Sequence, residues 1–254
     1  MQKVLPISFG LALRSVLAGT SLAIITPNRL GEYGGRVALL PANKWAAMAV
    51  TFRSNFSQLI INLLSGAVAF GTYCVWAMPL NISSSQLFLL CAFIALISLV
   101  LLFFYYKAAT IISFLQQFNY LKLHINRYNN LQKYTFAELN IALMLSFFRW
   151  IIFALQYVLL LWAFGIQANL FLLIAAIGTI YFVQTILPAI TFIEIGVRGN
   201  TALFFLGAFS KQKTGILLAS FGLWGINLLI PALLGTIIMV LHNKKNEPKS
   251  SNVF

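Results

Sequence analysis

Long apolar runs constrain this chain more than any other feature of its sequence. Residues 87–106 form one such run, and about 20 apolar residues are enough to cross a hydrocarbon core as a helix. Backbone groups in lipid must find partners within the protein, so the alternatives are helices or a closed barrel. The run shows no alternation of apolar and polar residues, which excludes a barrel. We therefore predict an all-α, polytopic membrane protein.

The composition supports this class. The chain is 61% hydrophobic and 8% charged, with a mean hydropathy of +0.90, which is less polar than the surface of a soluble domain requires. Its net charge is +13 and it has no aspartate. In membrane proteins, basic residues keep loops on the cytoplasmic side and contact anionic headgroups. Because no nucleic-acid-binding motif is present, we expect no nucleic-acid partner. The apolar composition and the basic residues together predict a location in the plasma or inner membrane.

Six apolar segments are predicted to be spanning helices. They are residues 5–26, 44–75, 86–106, 136–163, 168–187 and 213–241. Two shorter segments, 27–43 and 188–210, are broken by glycine or proline and are polar in the middle, so we expect re-entrant loops or half-helices that line a cavity. Residues 1–23 loosely resemble a signal peptide, but Arg14 interrupts the apolar core, and we assign them to the first helix.

The linker 107–135 predicts the orientation. It is basic and contains no acidic residue, whereas the loops 76–85 and 164–169 carry no charge. By the positive-inside rule the linker is cytoplasmic and the two neutral loops face outward. Aromatic residues are interleaved with its bases, which favours a segment lying on the membrane surface over an ordinary solvated loop.

A short motif occurs twice, about 160 residues apart. The copies are PNRLGEYGGR at 27–36 and PAITFIEIGVR at 188–198, each with a proline after an apolar run and then Glu-x-Gly-x-Arg. Paired broken segments in the two halves of a chain are typical of the central site of a transporter. We predict one membrane domain, a weak parallel repeat and a polar tail. Their bounds are 1–242 for the domain, about 1–106 and 136–242 for the half-repeats, and 243–254 for the tail.

The charged residues of the two motifs are the first candidates for a binding site. They are Arg29, Glu32, Arg36, Glu194 and Arg198. Glutamate and arginine are four residues apart in each copy, so their side chains meet if the segment is helical, although Gly34 and Gly35 argue against a regular helix in the first. We predict that the arginines bind a phosphate and that the glutamates act as counter-charges or proton acceptors. The alternative is that the pairs only join two broken helices, or snorkel to the interface.

Polar residues within the spanning helices are further candidates. A seam in the helix at 44–75 has the spacing 4, 3, 4, 3 and comprises Thr51, Asn55, Gln58, Asn62 and Ser65. Such a seam must face protein or water, so it either lines a pathway or joins helices by hydrogen bonds. Arg53 lies on a different face.

Three later helices contribute weaker candidates. Arg149 lies deep in the helix at 136–163, on nearly one face with Glu138 and Gln156, and we expect it to bind substrate or to pair with a motif glutamate. Gln184 and Asn227 are candidates for lining the same pathway, with helix packing as the alternative. Pro231 is expected to kink the last helix.

A catalytic or metal-binding set is not predicted. Cys74, Cys91, His124 and His242 lack the spacing of metal ligands, and the two cysteines are interpreted as packed thiols. No nucleotide-binding loop is present, and we expect no cofactor. A two-carboxylate enzyme would require Glu32 and Glu194 to lie within reach of each other.

Several of these features resemble a known family. TPNRLGEYGGR at 26–36, the helix with Ser146, Arg149 and Trp150, and the proline-led second motif resemble the transmembrane region of lysylphosphatidylglycerol synthetases and the stand-alone, flippase-like proteins of that fold. The resemblance covers most of residues 5–240. It implies handling of phospholipids or polyprenyl-linked lipids, with the five motif residues around a headgroup cavity.

The chain also departs from that family. The aminoacyl-transfer domain is absent, so synthetase activity is not expected, and family members usually carry about two more helices upstream. Ala189, Ile190 and Thr191 follow the second proline, where the family usually has glycines.

Three functions follow as hypotheses. The first is a flippase-like transporter or binder of a membrane lipid with an anionic or zwitterionic headgroup. The alternatives are a membrane-embedded enzyme that acts on a lipid phosphate, with Glu32 or Glu194 as general base, and a non-catalytic scaffold for a synthase partner.

Overall fold

The chain is helical throughout the part that the structure describes. The computed structural model describes residues 7–26, 29–40, 44–77, 83–115, 134–187 and 191–246. Within these ranges it forms nine α-helices, one π-helical turn and no strand. The helices are α1 Phe9–Ile25, α2 Gly31–Ala38, α3 Lys44–Trp76, α4 Ser84–Leu115, α5 Phe136–Ala163, α6 Leu170–Ile186, α7 Thr191–Leu206, α8 Lys213–Trp224 and α9 Ile230–Asn246, with the π-helical turn Gly225–Leu229 between α8 and α9. The predicted all-α class is confirmed.

Four stretches are long and apolar enough to cross a membrane. They are Lys44–Trp76, Phe88–Ala108, Phe136–Ala163 and Lys213–Lys244. Helices α1 and α6 are also apolar, but each has 17 residues, slightly fewer than the roughly 20 that a straight crossing needs. Four of the six predicted spans therefore have the length and apolar composition of a crossing helix, which is consistent with a membrane protein, and the other two stay predictions.

Helix α4 is longer than predicted. It continues to Leu115, past the expected end at residue 106, so the first part of the predicted linker is helical. Residues 116–133, where the interfacial segment was expected, lie outside the described residues. Helix α9 likewise continues to Asn246, into the predicted tail. In both places the helical backbone continues past the end of the apolar run on which the predicted boundary rested.

Residues 31–36 of the first motif lie in a regular helix, so the expectation that Gly34 and Gly35 argue against one is wrong. Helix α2 runs through both Gly34 and Gly35. A β-carbon on Gly35 would overlap the carbonyl oxygen of Ala18 and lie 2.7 Å from the Cα of Gly19, both in α1. Small residues at such a contact let two helix backbones approach closely. Packing against α1 therefore compensates for the low helix propensity of glycine.

Helices from the first and second halves of the sequence pack against each other through small residues. Helix α1 packs on α9, where a β-carbon on Gly235 would overlap the carbonyl of Leu17. Helix α3 packs on α6, where Gly66 lies against the ring of Phe182 and Gly178 lies against Ala69. Close contacts of this kind supply the van der Waals packing that holds helices together in lipid.

The largest buried cluster joins α3, α5, α6, α7 and α8. It includes Tyr73, Tyr157, Ile177, Leu206 and Ile216, all almost completely buried. The Tyr73 hydroxyl donates a hydrogen bond of 2.8 Å to the Phe205 carbonyl, which ties α3 to α7. This cluster holds five elements around a polar space next to it.

Arg53, which lies off the polar seam, connects α3 to α4. The side chain is 3% exposed, and its Nη1 donates to the Tyr105 carbonyl at 2.7 Å. Its guanidinium carbon lies 4.6 Å from the Tyr105 ring centroid and 5.3 Å from that of Tyr134. A buried cation is stabilised by carbonyl oxygen and by aromatic faces. Arg53 therefore stabilises the packing of α3 on α4, and it does not line the polar space.

Candidate functional site

A partly open cavity of about 360 Å³ lies between α3, α5, α6, α7, α8 and the π-helical turn. Its polar lining comprises Arg29, Gln58, Asn62, Ser146, Arg149, Gln184, Thr185, Arg198 and Asn227. Its aromatic lining comprises Trp150, Phe153, Tyr181 and Trp224. This volume is at the lower end of the range for small-molecule sites, so the cavity suits a small polar group.

Three arginines from three different elements line the cavity. Arg29 comes from the turn before α2, Arg149 from α5 and Arg198 from α7. The backbone of Arg29 has φ of 57°, a left-handed conformation that costs a non-glycine residue on the order of 1 kcal/mol. The turn is held by Thr26, whose carbonyl accepts from the Arg29 N–H and whose hydroxyl accepts from the Gly31 N–H at 2.7 Å. The fold therefore holds Arg29 in an unfavourable backbone conformation that presents it at the cavity.

Arg149 is accessible within the cavity. Its guanidinium carbon lies 4.9 Å from the centroid of the Phe153 ring, one helical turn further along α5. No hydrogen bond joins this guanidinium to any side chain that the structure describes, and it interacts electrostatically with Arg29, Glu32 and Arg36. Its donors are therefore available to a ligand.

The first motif glutamate forms a cluster beside the cavity. Arg36 and Glu32 form an ion pair within α2, as their spacing of four predicts, and both are partly buried. Asn55 of α3 donates to the second carboxylate oxygen of Glu32 at 3.4 Å. Glu32, Arg36 and Asn55 do not line the cavity, but they lie close enough to Arg149 for their charges to act on it.

The second motif is only partly described. Glu194 belongs to α7, but its side chain lies outside the described part of the structure. Arg198, one helical turn later, lines the cavity. A pairing of these two residues therefore stays a prediction.

Four of the five predicted pathway residues line the cavity. In three of these four, the side-chain amide nitrogen donates a hydrogen bond to a side chain of another element. Asn62 donates to the Thr185 hydroxyl at 3.3 Å, and Gln184 donates to the Thr201 hydroxyl at 3.3 Å. Asn227 donates to the Gln156 carbonyl oxygen at 2.8 Å. These bonds join α3 to α6, α6 to α7, and the π-helical turn to α5. Gln58 makes no side-chain hydrogen bond within the described residues.

The last helix, which Pro231 was expected to kink, contains a π-helical turn just before this proline. Proline has no N–H, so it cannot complete the α-helical bond to the carbonyl of Asn227. At this place the Ile230 N–H bonds to the Gly225 carbonyl, five residues back. Such insertions occur frequently at functional sites, and this one presents Asn227 to the cavity.

Glu138 has a local role. It forms a capping box with Thr135 at the start of α5, accepting from the Thr135 backbone N–H at 2.9 Å. Glu138 and Arg149 are eleven residues apart, which corresponds to about 16 Å along a helix, so they do not form an ion pair. The shared face predicted for them is not a shared site.

Several lining residues were not identified from the sequence, among them Phe153, Trp224 and Thr185. Phe153 follows Arg149 by four residues, Trp224 precedes Asn227 by three, and Thr185 is adjacent to Gln184. Helical spacing from the polar candidates would have found the first two. The described residues contain no group of three or more His, Cys, Asp or Glu side chains that could hold a metal ion.

The two motifs and Arg149 together carry a surplus of positive charge. Arg29, Arg36, Arg149 and Arg198 give four positive charges, whereas Glu32 and Glu194 give two negative ones, which leaves a net charge of +2. This holds whichever arginine each glutamate faces.

Compared with known protein families, curated proteins and solved structures, the chain shows no significant match, so the resemblance to the lysylphosphatidylglycerol synthetase family stays a prediction.

Proposed function

We propose that this chain is a flippase-like transporter or binder of a membrane lipid whose headgroup contains a phosphate. The observation that carries the proposal is the cavity lined by Arg29, Arg149 and Arg198 in a chain with membrane-spanning helices. Arginine offers several N–H donors in a planar fork, which matches the oxygens of a phosphate. Acyl tails would remain in the bilayer, because the cavity has room only for a headgroup.

The charge surplus supports an anionic ligand. An uncompensated charge at membrane depth is costly, and the cost falls when an opposite charge binds. Two positive charges remain even if each motif glutamate neutralises one arginine. A phosphate provides the missing negative charge together with acceptors for the guanidinium donors.

The arrangement of the helices supports a two-part mechanism. In the first half a 17-residue helix, α1, precedes the short α2 and the long α3, and in the second half a 17-residue helix, α6, precedes α7 and the long α8–α9 segment. Each 17-residue helix packs on the long helix of the other half, α1 on α9 and α6 on α3. We propose that these are two repeats, with all six predicted segments crossing the membrane, and that their relative movement opens the cavity to either side.

The cellular setting of the proposal follows from the charge distribution. Basic residues of the segment 107–135 would contact anionic lipids on the cytoplasmic side of the plasma or inner membrane. The headgroup would enter from one leaflet and leave toward the other.

A vesicle assay tests the proposal. The full chain is reconstituted with fluorescent phosphatidylglycerol, and the lipid that reaches the outer leaflet is bleached by a membrane-impermeant reductant. Arg149→Gln is compared with wild type and with Arg14→Gln, a matched control because Arg14 is exposed on α1 and does not line the cavity.

The expected result is rapid lipid movement in wild type and Arg14→Gln, slowed at least tenfold in Arg149→Gln. If no protein moves lipid but lipid binding is lost only in Arg149→Gln, the binder form of the proposal stands. Lipid binding and movement that do not depend on Arg149 would overturn it. Chemical conversion of the lipid would instead support the membrane-embedded enzyme.

A further inference from the structure

The cavity is lined by uncharged amide side chains as well as by arginines, and the proposed phosphate accounts only for the arginines. Besides its arginines, the lining has four uncharged amide side chains, Gln58, Asn62, Gln184 and Asn227. We infer that the headgroup carries uncharged hydroxyl groups next to its phosphate, as in a phosphoryl-polyol or phosphoryl-sugar, and that headgroups ending in an ammonium group are excluded. This inference rests on the proposed function and specifies its substrate class.

The hydrogen bonds within the protein determine what the amides offer. The amide nitrogens of Asn62, Gln184 and Asn227 already donate to Thr185, Thr201 and Gln156. Their carbonyl oxygens make no such bond to the described residues. Each amide oxygen has two lone pairs, so the cavity presents acceptors that require a donor from the ligand. A phosphate ester without hydroxyl groups would leave these acceptors unsatisfied.

Ammonium groups are donors as well, but the charge of the site disfavours them. The motif arginines and Arg149 exceed the motif glutamates by two charges, and like charges repel strongly where water is scarce. Ammonium ligands are commonly held on aromatic faces. In this cavity the face of Phe153 is taken by the Arg149 guanidinium, 4.9 Å from its centroid, so the aromatic faces left for an ammonium group are those of Trp150, Tyr181 and Trp224, in a site that already carries a surplus of positive charge. Hydroxyl groups supply the donors without adding positive charge.

Gln58 allows a clean test of the amide contribution. It lines the cavity on the same face of α3 as Asn62, and its side chain makes no hydrogen bond within the described residues. Replacing it with leucine therefore removes a ligand contact without breaking a bond that holds the described fold together. Gln184→Leu is a second variant from another helix, and normal elution and melting would confirm that each protein is folded.

The experiment compares lipids with identical short tails and different headgroups. Purified full-length protein is titrated with dihexanoyl phosphatidylglycerol, phosphatidic acid and phosphatidylcholine, and binding is followed by tryptophan fluorescence, because Trp150 and Trp224 line the cavity. Phosphatidylglycerol is expected to bind at least tenfold more tightly than phosphatidylcholine. Gln58→Leu and Gln184→Leu should each weaken phosphatidylglycerol at least threefold and leave phosphatidic acid within twofold.

The outcomes separate this inference from the proposed function. If Arg149→Gln weakens every phosphate lipid but phosphatidylcholine binds as tightly as phosphatidylglycerol, the proposed function stands and the headgroup inference fails. If the glutamine variants leave phosphatidylglycerol unchanged, the inference also fails. If no lipid depends on Arg149, the proposed function itself fails. Glycerol phosphate binding as tightly as the lipid would keep the hydroxyl-and-phosphate chemistry and overturn the lipid as its source.

Discussion

Two adjacent glycines in α2 provide a stability test with an internal control. Gly35 is buried against α1, whereas nothing lies within 4 Å of a β-carbon built on Gly34. Alanine at either position gains the same helix propensity, about 1 kcal/mol over glycine. Only at position 35 does the new methyl group collide with Ala18 and Gly19, and such overpacking typically costs about 1–3 kcal/mol. The difference between the two variants therefore isolates the collision.

The expected result is that Gly35→Ala melts below Gly34→Ala. For a chain of this size, about 1 kcal/mol corresponds to about 2–4 °C, so the difference should be about 2–12 °C. Thermal unfolding of both proteins in the same mild detergent, followed by tryptophan fluorescence, measures it. If Gly35→Ala melts at or above the temperature of Gly34→Ala, α1 and α2 are not packed as closely as described.

Three further predictions concern the polar groups. Burial raises the pKa of Tyr134 to about 12, although the nearby Arg53 cation acts in the opposite direction, and its buried hydroxyl has no hydrogen-bond partner among the described residues. Because the pKa of tyrosine in the unfolded chain is about 10, folding favours the protonated phenol. This contribution to stability is therefore complete below about pH 10 and is lost as the pH rises toward 12. The melting temperature should fall less between about pH 8 and about pH 11 for Tyr134→Phe than for wild type. Asn227→Leu removes the bond to Gln156 and should lower the free energy of unfolding by about 0.6–1.7 kcal/mol in a denaturant titration, whereas an unchanged midpoint would mean that the bond contributes nothing. Pro231→Ala restores a donor for the Asn227 carbonyl and should convert the π-helical turn to α-helix, so lipid binding should weaken severalfold without a lower melting temperature; unchanged binding would separate the turn from the cavity.

The long helices could be predicted because apolar length alone determines them. The helix expected at 136–163 begins and ends at those residues, and the helix expected at 44–75 is one residue longer. In lipid a continuous apolar segment has no alternative to helical hydrogen bonding. The end of α4 was missed because the helix continues past Lys107, where the apolar run on which the prediction rested ends.

Local rules failed where packing decides the conformation. Glycine lowers helix propensity, so Gly34 and Gly35 argued for a break, but the close contact of Gly35 with α1 outweighs that cost. Which helix α2 meets depends on the whole fold, and no local pattern reveals it. The π-helical turn could be predicted only in part. Pro231 indicates that an α-helical hydrogen bond is missing, but it does not show which backbone hydrogen bonds form in its place.

The polar lining residues could be predicted from residue spacing within each helix taken separately. The spacing of the seam placed Gln58 and Asn62 on one face of α3, and both line the cavity. Asn55, on the same seam, contacts Glu32 instead. The sequence could not show that Thr185 is the partner of Asn62, since that contact joins residues 123 positions apart.

Lipid analysis of the gently purified protein tests the central proposal most directly. Wild type, Arg149→Gln and the control Arg14→Gln are extracted from the same membrane and examined by native mass spectrometry with identification of the bound lipids. We predict that one class of phosphate-bearing lipid is enriched on wild type and on Arg14→Gln and is lost from Arg149→Gln. The same bulk mixture of lipids on all three proteins would contradict a headgroup site at the arginine-lined cavity.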